Sequence, residues 1–350
     1  MKLSSLFPAF LSGRIESLSG FLDAEKKFKD SSVPLSEKLW LWRNGFPTGY
    51  KNLYGMTRDN IELYLDPVRY KKMHPVNGMY SKLIDSKAFL PFICPHVPEL
   101  YVVVEKGRLR FFKGIDDAGL IEGLQKYMKE RSADLICKPE GQSGGRGIQR
   151  INSSNVENVI GDLISRKNSF IINNCIIQRE YSNRIFSGSV NTIRLLFYRK
   201  RDTGKLELAG AFHRFGTVES QPADNTMRGG IITAINDSTG EMGESFCYPG
   251  KKYSGLHSVH PDTGASIKGV MIPDWDERLK KILGYFGSLT WLDYAGADIV
   301  LTDSGFVILE INSLPGIEQP QRIKPFLSDK DLKEFFMSKG LKLKQKYSGK

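Results

Sequence analysis

The sequence predicts an α+β protein rich in antiparallel strands, entered through a mainly helical N-terminal region. Three observations carry that prediction. Short β-branched runs are joined by turn signals, as in "NTIRLLFYRK", "DTGK" and "LELAGAFHRFG", which together read as a hairpin. Amphipathic helices lie among the strands: "SNVENVIGDLISRKN" opens on a Ser or Asn cap, and "PDWDERLKKILGYFGSL" has Pro273 near its start. At Phe89 the pattern switches from basic, aromatic helical sequence to strands.

Residues 1–85 form the helical region, with aromatics at "KLWLWRNGF" and punctuation at Pro47, Gly49 and Pro67. Aromatics at helical spacing of this kind are core side chains. The start, "MKLSSLFPAFLSGRIESL", reads as an amphipathic helix and not a signal peptide, because Arg14 and Glu16 break the apolar stretch. Residues 86–180 form a first lobe, with a β-rich run and Lys-Gly turn in "FICPHVPELYVVVEKGRLRFF", a short strand "DLICKP", and a further strand "CIIQREY". Residues 181–330 form a second lobe, holding the hairpin above, "GGIITAIND" with its "STGEM" turn, and the closing pair "AGADIVLT" and "FVILEIN". Residues 331–350 are a basic tail whose end, "KGLKLKQKYSGK", reads as frayed and solvated.

A chain of 350 residues has room for about two domains. Its 40% hydrophobic and 25% charged residues are ordinary for a globular protein, and no apolar run approaches a membrane span. Cys94, Cys137, Cys175 and Cys247 are widely spaced with no C-x-x-C, which points to a reducing cytoplasm and away from a disulfide framework or zinc ribbon. The net charge of +11 suits nucleotide phosphates or acidic substrates; no nucleic-acid-binding motif accompanies it, so nucleic acid is not an expected partner.

"ICKPEGQSGGRGI" places Lys138 and Pro139 at a strand end, followed by Gly141, Gly144, Gly145 and Gly147. Dense glycine lets backbone N–H groups approach an anion closely, which makes this a phosphate loop or else a flexible turn. It is not a Walker A loop, since the lysine precedes the glycines, nor a Rossmann fingerprint, since G-x-G-x-x-G is absent. Protein kinase signatures fail as well: in "FHRFG" no Asp follows the arginine, and there is no Asp-Phe-Gly.

In "VILEINSLPG" strand alternation sends Ile308, Glu310 and Asn312 one way and Val307, Leu309 and Ile311 the other. A three-residue loop Asp303-Ser304-Gly305, ending on a left-handed glycine, pairs Thr302 with Phe306 and brings Asp298 opposite Glu310. Opposed Cβ atoms lie about 4.5–5.5 Å apart, where two carboxylates repel unless a cation, a shared proton or an arginine intervenes. With Asn312 adding a neutral oxygen, the set suits Mg²⁺ holding a polyphosphate.

The order Lys-Pro, glycine loop, "IIQREY", Asp…Glu-x-Asn and Pro-Gly resembles the ATP-grasp superfamily. "NTIRLLF", "FHRFG", "ADNTMRGGIITAINDSTGEM", "HPDTGASIKGVMIPDWDE" and "LEIN" resemble its sugar-transfer-associated branch, over roughly residues 80–320. The resemblance implies two α+β lobes clasping ATP, with ATP and Mg²⁺ as cofactors. It also implies a carboxylate–amine ligase that works through an acylphosphate and releases ADP and phosphate, on a cell-surface sugar, peptide or small metabolite. Lys87 would be the first ATP lysine, with Lys82 the alternative; Lys138 would touch the phosphates under a lid of Gly144, Gly145 and Gly147. Gln178, Arg179, Glu180 and Tyr181 would form the hinge facing adenine and ribose. Arg194 and Arg214 would be catalytic, Asp298, Glu310 and Asn312 the magnesium ligands, and Asn225, Arg228, Gly229 and Gly230 substrate-side. One departure stands out: the branch has Gly-Trp-Asp where this chain has Gly296-Ala297-Asp298, so that wall of the pocket differs.

Two other functions stay open at this point. A kinase acting on a hydroxyl needs the same ATP site, and a non-enzymatic basic nucleic-acid-binding module has no use for the acid cluster. His257, His260 and Cys247 offer three metal-ligand types without an evident fourth.

Overall fold

The computed structural model describes residues 15–113, 119–131, 133–140, 145 and 147–343, with residues 15–20 by backbone alone. Six short helices come first: α1 (Ile15–Lys27), α2 (Leu35–Arg43), α3 (Tyr50–Tyr54), α4 (Pro67–Lys71), α5 (Tyr80–Asp85) and α6 (Leu90–Ile93). Local chemistry sets their ends. Asp66, for example, caps α4 by accepting from Arg69 N, and Pro67 occupies the first helical position, where no N–H is needed.

A five-stranded sheet follows, from β1 (Leu100–Glu105), β2 (Arg108–Phe112), β3 (Leu135–Pro139), β4 (Gln149–Ile151) and β5 (Phe170–Asn174), in the order β2-β1-β5-β3-β4. Lys106 and Gly107 turn β1 into β2, both at positive φ (49° and 75°), as a two-residue hairpin loop requires. Helices α7 (Leu120–Arg131) and α8 (Val156–Ser165) share its core through Leu124, Met128, Ile160 and Leu163.

The second sheet has seven antiparallel strands: β6 (Ile193–Arg199), β7 (Leu206–Phe215), β8 (Ile231–Ile235), β9 (Met242–Cys247), β10 (Gly255–His257), β11 (Tyr294–Thr302) and β12 (Gly305–Asn312). The order β10-β9-β8-β7-β6-β11-β12 puts the last hairpin beside β6. Alternation along β6 separates two faces. Ile193, Leu195 and Phe197 enter the core shared with Ile282 and Phe286 of helix α10 (Trp275–Ser288), whereas Leu196 and Tyr198 enter an aromatic core with Leu41, Tyr50, Phe326 and Phe336. The N-terminal helices thus share one core with the second sheet. Helix α9 (Glu180–Ile185) links the two sheets, and α11 (Glu318–Ile323) and α12 (Lys330–Ser338) follow β12.

The protein is α+β, as the sequence predicts, but four local readings change. The strand before the linker is Phe170–Asn174, not "CIIQREY": residues 175–179 are irregular and Glu180 begins α9. The β11–β12 loop has two residues, not three, because Thr302 pairs with Gly305, whose φ of 159° is extended backbone. A β-bulge then shifts the register, so that Ile299 pairs with Ile308 while Asp298 still faces Glu310. The extra residue sends Ile308 and Ile311 together into the core under the sheet and leaves Leu309, Glu310 and Asn312 on the cavity wall. Lastly, the start of the tail is helical: Leu332, Phe335 and Phe336, at helical spacing, are buried in the aromatic core, and of the tail residues 344–350 lie outside the described chain.

Candidate active site

A cavity of about 310 Å³ lies between the two sheets, a size suited to a small ligand. One wall comes from the first sheet and its loop, through Ile136, Lys138, Pro139, Gly145 and Ile148. Strands β6, β7, β11 and β12 supply the other with Arg194, Arg214, Asp298, Leu309, Glu310 and Asn312. Ile176 of the linker, the loop 222–227, and Glu318 and Gln319 of α11 close it.

The second wall is organised by cross-strand register. Asp298 pairs with Arg194 on one side and with Glu310 on the other, so the three stand in one row across β6, β11 and β12. Arg194 grips Asp298 bidentately, through Nε to Oδ1 and Nη2 to Oδ2 (2.8 Å). Arg214 Nη2 adds a second ion pair to Oδ2 at 2.8 Å, and Arg214 Nε stands 3.4 Å from Asp224. Burial alone would raise the Asp298 carboxyl, but the two guanidinium groups outweigh it and hold Asp298 well below the usual carboxylate range. Asp224 is held in turn by Thr192, which donates to it from both N (2.8 Å) and Oγ1. Gly296 makes the row possible on the turn side: a Cβ there would stand 2.6 Å from Pro315 Cβ and 3.4 Å from Arg194 Cδ.

On the opposite wall Lys138 is half-buried. Burial, opposed by the Glu310 carboxylate and aided by Lys87, lowers its ammonium to about 8. Lys87 follows α5 and lines the cavity, whereas Lys82 is exposed on α5 outside it. Gly145 and Gly147 both have positive φ (70° and 69°), and a Cβ on Gly145 would meet that of Ala223 at 2.6 Å, so the loop closes against the second lobe. Gly144 lies outside the described residues.

These neighbours determine whether magnesium fits. The Asp298 carboxylate has about four lone-pair sites and the arginines take three, leaving one on Oδ1. Among the described residues Glu310 has no ion-pair partner, and Asn312 lines the cavity two residues on, where its amide oxygen is a neutral donor atom for a cation. Glu310, Asn312 and the last Asp298 site thus make a hard oxygen set that fits Mg²⁺. Among the described residues no group of three or more His, Cys, Asp or Glu is arranged for a metal. His257 and His260 instead meet the carbonyls of Tyr253 (2.6 Å) and Gly216 (2.7 Å).

Several expected residues lie elsewhere. Gln178 is buried, donating to Asn183 (2.9 Å) and to Ser189 O (3.0 Å); Arg179 pairs with Asp274 at 2.8 Å; Glu180 is exposed; and Tyr181 meets His213 Nε2 at 2.9 Å. None of the four lines the cavity, because the chain enters α9 there; Asn174 and Ile176, a few residues earlier, do line it. Asn225 lines it and caps the turn at Arg228 N (3.1 Å), while Arg228, Gly229 and Gly230 shape that loop from outside the lining. Ala297 faces the core beneath the sheet, so the departure from Gly-Trp-Asp lies behind the pocket wall. Thr192 and Asp224, which fix Arg214, carry no spacing signal that would have singled them out: Thr192 meets Arg214 just before β6, and the loop after β7 returns Asp224 to Thr192.

A family model described as sugar-transfer associated ATP-grasp matches residues 79–324, which span both sheets and every residue of this cavity except Lys27. The chain belongs to the sugar-transfer-associated ATP-grasp family. No curated protein matches it. Similar solved structures include the D-cycloserine synthetase DcsG, at 13% identity and a TM-score of 0.42, with 93% of this chain and 95% of that one covered. The D-alanine–D-alanine ligase of Bacillus anthracis is 12% identical with a TM-score of 0.41, covering 74% of this chain and 68% of that one. The biotin carboxylase domain of the Hydrogenobacter thermophilus 2-oxoglutarate carboxylase, solved with MgADP and bicarbonate, is 12% identical with a TM-score of 0.40; 76% of this chain matches 47% of that one, so this chain spans about half its length. The sugar-transfer-associated ATP-grasp protein is accordingly an ATP-binding enzyme of the ATP-grasp superfamily. Among its described residues no helix is long and apolar enough to cross a membrane.

Proposed function

We propose that this protein is an ATP- and Mg²⁺-dependent ligase joining a carboxylate to an amine through an acylphosphate, with release of ADP and phosphate. The observation that carries the reading is the pair of arginines locked on Asp298 beside Glu310, facing Lys138 across the cavity. Bound ATP and Mg²⁺ would supply the phosphoryl group and neutralise its charge. Lys87 and Lys138 hold phosphate oxygens beneath the glycine loop, and Glu310, Asn312 and Asp298 hold the metal. Ile136 and Ile148 of one wall and Leu309 of the other form an apolar slot for adenine.

Arg194 and Arg214 receive the carboxylate. Their positions are already fixed by Asp298, Asp224 and Thr192, so they meet the negative charge that builds on the carboxylate and bridging oxygens without reorganising. A guanidinium stays charged throughout and can hold paired oxygens bidentately. Asn225 and its loop bound the substrate side, where a cell-surface sugar, peptide or small metabolite is joined. A reducing cytoplasmic setting, consistent with four free cysteines, belongs to the same reading.

The test is a screen of carboxylate and amine pairs with ATP and Mg²⁺, following ADP, phosphate and product together. Equal release of ADP and phosphate, dependent on both substrates, is expected. A phosphorylated hydroxyl compound formed without free phosphate would replace the ligase with a kinase.

A further inference from the structure

The cavity extends past the arginines to an end the ATP chemistry does not use. There β12 leads through Pro315 and Gly316 into α11, and Glu318 lines the cavity with Gln319, Thr226 and Met227. The Glu318 carboxylate reaches back over Gly316: a Cβ on that glycine would stand 2.8 Å from Glu318 Oε2. Its neighbours on the helix are all committed elsewhere. Gln319 donates to Thr226 Oγ1 (2.6 Å), Gln321 donates to Leu65 O (2.9 Å), and Arg322, one turn on, donates to Leu53 O (2.8 Å) and lies over the Phe246 ring. Glu318 has no ion-pair partner among the described residues. Lys27, the other charge at this end, is exposed and lies over the Phe28 ring at 4.8 Å.

Behind Glu318 stand two buried phenols, Tyr50 and Tyr54. Burial first, and the Glu318 carboxylate second, push both phenols well above their usual range, so they stay neutral. The Glu318 carboxylate is thus within reach of the Tyr50 hydroxyl. A position in the first turn of α11 accounts for an acid. It does not account for an acid left without a cation when an arginine one turn away bonds elsewhere.

A carboxylate without a cation, opening on a cavity, is complementary to an ammonium group. We propose that this end of the cavity is the subsite for a substrate bearing a protonated primary amine, held through its ammonium by Glu318. The assignment rests on the ligase reading for why an amine is needed there. The ammonium belongs either to the attacking amine, before it loses its proton, or to the carboxylate substrate.

Saturation-transfer NMR on the full chain with Mg·ADP tests this, using ethanolamine, D-glucosamine and D- and L-alanine as probes against their N-acetyl counterparts. Free amines are expected to bind about tenfold or more tightly than the acetylated forms, as befits one charge-assisted contact. Glu318→Gln should lose that preference and Glu318→Asp, which keeps the charge, should retain it, while calorimetry shows ATP affinity held in both. Binding of ethanolamine or glucosamine assigns the site to the attacking amine; binding of alanine alone assigns it to the carboxylate substrate. Equal binding of acetylated probes, an unchanged preference in Glu318→Gln, or no binding of any free amine overturns the subsite. Glu318-dependent amine binding in a protein that releases no phosphate keeps the subsite and removes the ligase reading.

Discussion

Glu310 stands directly opposite Asp298 across the β11–β12 ladder, yet only Asp298 is held by arginines. The two acids therefore have different tasks. Asp298 neutralises two buried guanidinium groups, whereas Glu310 faces the cavity and the Lys138 ammonium. Glu310→Gln should abolish ATP turnover and leave thermal stability close to wild type. Asp298→Asn should unfold more easily, by about 3–5 kcal/mol, because Arg194 loses its counter-ion and Arg214 keeps only Asp224. Chemical denaturation of both variants, with ATPase assays, checks the contrast; equal stability losses would mean that the two acids form one structural unit.

Lys138 should make ATP binding pH-dependent. Its folded-state value of about 8 lies below that of a free lysine, near 10.4. Between these values the unfolded chain binds more protons, so this group's contribution makes stability rise with pH across that window. Phosphate binding requires the charged form, so ATP affinity should fall as pH rises through 8. At that pH, binding should take up about half a proton. Calorimetry in buffers of different ionisation enthalpy reads this uptake directly. Lys138→Ala should abolish it and weaken ATP by about 1.5–3 kcal/mol. Unchanged affinity would make the Lys-Pro-Gly segment a turn and nothing more.

Arg194→Lys should reduce kcat by about 10²-fold or more, the cost of one lost transition-state donor, with little change in ATP affinity. Lysine keeps the charge on Asp298 but cannot grip it at two points, so the expected loss is in the geometry presented to the carboxylate. Steady-state kinetics with calorimetry separates the effects, and an equal loss of ATP affinity would place Arg194 in nucleotide binding.

The site was legible in the sequence where it depends on local pattern. Glu310 and Asn312 two apart in an apolar strand, a short turn at Asp303, and Lys138 before dense glycine are all local signals. The opposition of Asp298 and Glu310 came out right by a compensation: the loop is one residue shorter than expected, and the bulge restores the pairing. Bulges have no single-sequence signature, so the burial of both Ile308 and Ile311 beneath the sheet was invisible. The linker misled for a related reason. "CIIQREY" has strand composition, but Phe170–Asn174 takes the place in the sheet between β1 and β3 and leaves those residues for a connection and helix. The tie between the N-terminal helices and the turn after β12 was also hidden, because Asp85 to Ser313 and Tyr70 to Pro315 O are contacts between residues more than two hundred apart.

Ligation through an acylphosphate moves one carboxylate oxygen onto phosphorus, and isotope transfer reads that step. With a carboxylate that supports ADP release, both of its oxygens carrying ¹⁸O, the released phosphate should contain one labelled oxygen, because the carboxylate oxygen bridges to phosphorus before the amine displaces it. Label retained wholly in the product, with unlabelled phosphate or a phosphorylated alcohol, would contradict the account.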